Sequence, residues 1–185
     1  CWGTRGPQLG MGPDDYLGCY DWSQRRVSDC GLRPPRFVPG LNDVVQLEAA
    51  PHSGDFCARH QDGGVSCWGH SAVGLLHGGP TQLGQDVPEA GTVVRLPGVV
   101  GARDIGLATN SGGLALCYLT GDPFVRCLGW EHNDAQAGGL GRGRAGAVGV
   151  PGEAPAIVEG LEVGPQAKLR AGGQSICVLD PNRGL

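Results

Sequence analysis

The residues with most chemistry to offer in this 185-residue chain are its eight cysteines. Cys57 and Cys67 stand ten apart, and so do Cys117 and Cys127. Paired thiols either hold a metal or close a disulfide. The chain has no Cys-x-x-Cys, and no histidines in finger-like spacing accompany the cysteines, so the zinc pattern is missing. Between the first pair lies Gln61-Asp62-Gly63-Gly64, a hairpin signal. If Cys57 faces Cys67, the connection is Gln61-Asp62-Gly63, and Gly63 takes the left-handed position that such a loop requires. Facing non-hydrogen-bonded residues sit about 4.5 Å apart at Cα, a span a disulfide tolerates. Structural disulfides are therefore expected. The second pair fits less well, because Gly121-Asp122-Pro123 puts proline where a left-handed residue is wanted.

Other polar clusters carry less. Gly141-Arg142-Gly143-Arg144-Ala145-Gly146 has the dinucleotide spacing, but Gly149, Pro151 and Pro155 forbid the helix that must follow it. Glu131-His132-Asn133-Asp134 lacks a calcium-loop pattern and reads as a solvated loop. No nucleophile elbow, metalloprotease helix motif or phosphate loop occurs, so no catalytic residue, metal ligand or cofactor is assigned and the protein is read as a non-enzyme. Tyr16, Tyr20 and Trp22 lie beside Arg25 and Arg26 in the region of Cys19 and Cys30. Tyrosine, tryptophan and arginine anchor interfaces, so these five residues are the partner-binding candidates. Cys19 and Cys30 are expected to tie this insertion to itself, which removes unfolded-state entropy.

The elements that must position these residues repeat. Cys1-Trp2-Gly3, Cys67-Trp68-Gly69 and Cys127-Leu128-Gly129 each open a unit. Each is followed by a glycine-rich stretch, then by Gly40-Leu41, Gly98-Val99 or Gly160-Leu161, and finally by Cys57, Cys117 or Cys177 after an apolar residue. Four landmarks in one order, three times over, mark a stacked or radial array. The units run approximately 1–66, with an insertion at 13–36, then 67–126 and 127–185. Val44–Ala49, 102–108 and 167–171 alternate as strands do, and Leu114–Leu119 reads as a strand buried on both faces. Glycine at 35 residues and proline at 14 exclude a helical bundle. The expected class is all-β, a β-propeller-type repeat of about three blades.

A net charge of −4 argues against a nucleic-acid surface, and no apolar run is long enough for a membrane-spanning helix. Disulfides place the expected location outside the cytosol, as an extracellular, cell-surface or periplasmic protein. Thirteen arginines against the single Lys168, with much glycine, alanine and proline, suggest a GC-rich bacterial genome.

The string from Cys57 to Gly69, with its Asp-Gly turn and closing Cys-Trp-Gly, resembles the regulator-of-chromosome-condensation repeat in its secreted bacterial form. Pro7-Gln8-Leu9-Gly10-Met11-Gly12 resembles that repeat's loop, and Pro39-Gly40-Leu41 followed by Val44 resembles the strand before its cysteine. The resemblance spans all three units and weakens along the chain. It implies a seven-bladed propeller, of which about three units are present, so further blades from the same or another chain are expected. Cys1 holds the place of Cys67, and Cys177 that of Cys57. These two either meet in a small ring or pair with blades elsewhere, the second being preferred. The expected function is a non-catalytic secreted or cell-surface module for protein binding or structural assembly. A secreted enzyme inhibitor and a carbohydrate-binding propeller are the alternatives.

Overall fold

In the computed structural model, residues 37–50, 54–69, 92–110, 113–129, 155–173 and 175–183 are described. Among them there is no helix, and no segment is long and apolar enough to cross a membrane as one. Ten strands follow in chain order: β1 (Val44–Ala50), β2 (Asp55–His60), β3 (Val65–Trp68), β4 (Val94–Arg95), β5 (Asp104–Asn110), β6 (Gly113–Leu119), β7 (Phe124–Gly129), β8 (Ala156–Glu162), β9 (Lys168–Gly172) and β10 (Ser175–Leu179).

The strands build three antiparallel sheets. β1-β2-β3-β4 and β5-β6-β7-β8 are four-stranded meanders with neighbours in chain order, and β9-β10 is a pair. Registers repeat as well. Cys57 lies opposite Glu48, Cys117 opposite Gly106 and Cys177 opposite Arg170. Counting two residues on from each cysteine, Gln46, Asp104 and Lys168 occupy one equivalent place, facing Arg59, Leu119 and Leu179.

Strand alternation decides which faces meet. In β5, Ile105 and Leu107 turn to the first sheet and join Cys57, Val65, Cys67 and Leu96 in one apolar cluster. Gly106 turns the other way, toward Leu169, Ala171 and Ile176 of the third sheet. That second layer also holds Ala115, Cys117, Leu119 and Val125. The middle sheet is thus covered on both faces, and Leu114–Leu119 is buried throughout, as a strand without polar alternation requires. β1 and β9, by contrast, largely alternate exposed residues with half-buried or buried ones because each has one open face.

Two glycines of the repeating Cys-x-Gly landmark have a steric reason. Gly69 and Gly129 have φ of 133° and 136°. A Cβ at Gly69 would lie 2.6 Å from the Cα of Asp55, and one at Gly129 would overlap the carbonyl oxygen of Leu114. Strand three approaches strand two too closely there for any side chain.

Candidate functional site

The chemistry is concentrated at the hairpins and between the sheets. β2 and β3 pair with Cys57 facing Cys67, at Cα–Cα 4.1 Å and Sγ–Sγ 2.09 Å. β6 and β7 pair with Cys117 facing Cys127, at 4.0 Å and 2.00 Å. In the first hairpin Gly63 has φ 79°, and the N–H of His60 donates to Gly64 O at 2.9 Å, closing the three-residue connection 61–63.

The second hairpin turns without a left-handed residue. Its loop is organised by Asp122, whose Oδ1 accepts the Phe124 N–H at 3.2 Å and the Thr120 hydroxyl at 2.9 Å. Arg126 donates to both carboxylate oxygens, at 2.7 and 2.5 Å. Asp62 does the same work in the first loop, accepting Gly64 N–H at 2.9 Å and Arg95 Nη2 at 2.6 Å. The Arg126 guanidinium, with Thr120 and the Phe124 amide, holds the Asp122 carboxyl far below the ordinary range. The Gly64 amide, then Arg95, lowers that of Asp62. Asp180 is lowered by the amides of Gly164 and Asn182, at 2.7 and 3.0 Å. Burial, in contrast, raises the Tyr118 phenol.

Between the sheets a second set of contacts recurs. Gln46 Nε2 donates to Ile105 O at 3.0 Å, and Gln46 Oε1 accepts the Ile105 N–H at 3.2 Å. One sheet further on, Asp104 Oδ2 accepts the Leu169 N–H at 2.6 Å. Each time the residue two registers from the cysteine reaches the backbone of the next sheet, one place along from its own equivalent. Arg103 adds a clamp. Its guanidinium donates to Thr120 O at 2.7 Å, Ala167 O at 2.7 Å and Gly164 O at 3.0 Å. Most of these side chains bridge separations of about sixty residues, which no local sequence signal announces. The one visible trace is an acid at the head of the apolar strand Asp104–Asn110.

A polar cleft of about 420 Å³ opens at the turn end of the first sheet, lined by Asn42, Asp43, His60, Gln61, Asp62 and Arg95 with Gly40. Asp43 holds φ 53°, a left-handed conformation uncommon outside glycine, and its carbonyl accepts the Gln61 N–H at 2.9 Å. His60 is buried with both ring nitrogens engaged, Nδ1 at 2.7 Å from Asn42 O and Nε2 at 2.8 Å from Ser66 Oγ. Since a carbonyl only accepts, Nδ1 carries the proton and donates. His60 therefore pins the cleft wall to β3. The sequence marks none of these cleft residues as a ligand, and gives a role only to Gly40, as a repeat landmark, and to Gln61 and Asp62, in the turn.

Trp68 is fully buried and stacks on Phe56 with ring centroids 5.6 Å apart, which is a packing role. Cys177 stands exposed on β10 and has no disulfide partner among the described residues. Cys1, Cys19 and Cys30, and the partner-binding candidates Tyr16, Tyr20, Trp22, Arg25 and Arg26, lie outside the described residues, as do the glycine-rich run at 141–146 and Glu131–Asp134. No protein-family model and no curated protein matches this chain.

Proposed function

We propose that the chain is a non-catalytic, disulfide-stapled module of the β-propeller type, working outside the cytosol in protein binding or structural assembly. The observation that supports this reading best is the repeated inter-sheet link, Gln46 to Ile105 and then Asp104 to Leu169. Sheets that grip their successors through one equivalent position form an array in which every unit has the same task, and such arrays serve as scaffolds whose loops carry recognition. The resemblance to the secreted regulator-of-chromosome-condensation repeat points the same way, and it makes each sheet one blade. Two hairpins with cysteines at disulfide distance fit an oxidising compartment. The insertion with Tyr16, Tyr20, Trp22, Arg25 and Arg26 is the proposed contact for a protein partner.

A non-reducing peptide map of native material, with thiols trapped before digestion, tests the proposal. Cys57–Cys67 and Cys117–Cys127 are expected as linked peptides. Recovery of all four as trapped thiols would overturn the extracellular reading.

A further inference from the structure

The two ends of the described sheet series expose positions equivalent to the two sides of the internal interfaces. Leu47, Ile105 and Leu169 occupy equivalent register positions, each directly after Gln46, Asp104 or Lys168. Ile105 and Leu169 are 0% and 1% exposed, because the preceding sheet covers them. Leu47 is 54% exposed and its neighbour Val45 is 51% exposed. An apolar residue that is core in two units is surface in the other. At the opposite end, the face of β9 and β10 that would cover a following sheet shows Lys168, Arg170 and Cys177, all exposed. These stand where Gln46, Glu48 and Cys57 meet the middle sheet.

We infer that this chain associates head to tail with a second copy of itself, the outer face of β9-β10 in one copy seating on the outer face of β1 in the other. The inference rests on the repeating-sheet reading above and names the assembly partner. Continuity with the internal interfaces carries it. Each internal junction buries Ile105 or Leu169 and joins a side chain of one sheet to the next sheet's backbone. Lys168 is a donor only, so it takes the part of Gln46 Nε2, donating to the carbonyl of Leu47 in the partner. A contact between unlike faces leaves the same pair of faces free on each copy. It therefore propagates or closes. The described residues form three sheets in each copy, at least six in two copies, and roughly four to eight close a ring. Closure of two copies forms the contact twice and ends growth at the dimer.

The test is sedimentation velocity on the whole chain across roughly a hundredfold range of concentration, since association by mass action must depend on it. It is run with Cys177→Ser, so that no thiol cross-link can mimic association. The expected result is a dimer in Cys177→Ser, and a dimer dissociation constant raised on the order of 100-fold in Cys177→Ser/Leu47→Glu, where a carboxylate enters the apolar contact. Leu47 is half exposed in the single chain, so at concentrations where both proteins are monomeric its replacement is expected to leave the unfolding midpoint in place. If the midpoint falls, the exposed Lys168→Glu takes its place with the same expected weakening. A monomer at every concentration would overturn the inference and leave these faces to a different chain. So would a dimer that survives both substitutions. The peptide map scores the cysteines independently, so failure of the dimer leaves the disulfide reading standing.

Discussion

Asp104 accepts the backbone N–H of Leu169 at 2.6 Å from 65 residues away, and both residues are buried. The contact joins the middle sheet to the β9-β10 pair where water cannot substitute for it. Replacing Asp104 by Leu removes the acceptor and leaves that amide unpaired in an apolar layer. A loss of about 1–3 kcal/mol is expected from urea unfolding midpoints. Asp104→Asn keeps an acceptor oxygen and should lose less. Equal losses in the two variants would refute a hydrogen-bonding role.

Gly129→Ala should destabilise the chain by at least about 2 kcal/mol, because the added carbon meets the backbone of Leu114 and Ala115 at a φ of 136°. Gly121, in the loop of the same hairpin, would place a Cβ in open space, with no neighbour inside 4 Å. Gly121→Ala is expected within about 0.5 kcal/mol of the parent. Thermal melts of the two variants side by side provide the comparison.

Acid should weaken the second hairpin. The folded carboxyl of Asp122 is held far below its ordinary value of 3.8, first by Arg126. A depressed folded pKa gives stability that is fully present above 3.8 and is lost as pH falls below it toward the folded value. Stability of the parent should therefore drop steeply below that pH. Asp122→Asn should be less stable at neutral pH and show a shallower drop. Identical acid limbs in the two unfolding profiles would remove Asp122 from the account.

Cys57→Ser with Cys67→Ser opens a cross-link between residues ten apart. Chain-entropy reasoning gives roughly 2–3 kcal/mol for a loop of that size, less any relief in the native state. Chemical unfolding with and without reductant checks it, because reductant should narrow the gap between parent and variant. A gap unmoved by reductant would mean that the cysteines act through packing alone.

What the sequence made legible was what is local. The Cys57–Gly69 string carries an Asp-Gly turn and a cysteine spacing that both concern one hairpin, so register and loop conformation follow from neighbours. Leu114–Leu119 was readable as doubly buried because an apolar run of that length tolerates no solvent face. The second hairpin was harder to read. There Asp122 and Arg126, rather than a left-handed residue, shape the turn, and side-chain capping of a loop has no periodic signature. β4 is two residues long and β8 holds Gly160 within it, so neither shows the alternation that marks a strand. The links from Gln46, Asp104 and Arg103 stayed hidden for a different reason: their partners are backbone groups, which every residue possesses. The cleft around His60 was equally silent, since its walls come from the turn before β1, the first hairpin loop and β4.

The placement of each cross-link inside one hairpin also governs how the chain can be made. Cysteines that become partners are adjacent in order of synthesis within their hairpin, 57 with 67 and later 117 with 127. From Cys57 onward, a chain emerging in order of synthesis delivers one complete thiol pair, with its own turn, before the next pair arrives. Closing either of these two pairs then needs only its own hairpin, whereas a mispaired Cys67–Cys117 would have both β4 and β5 between its halves.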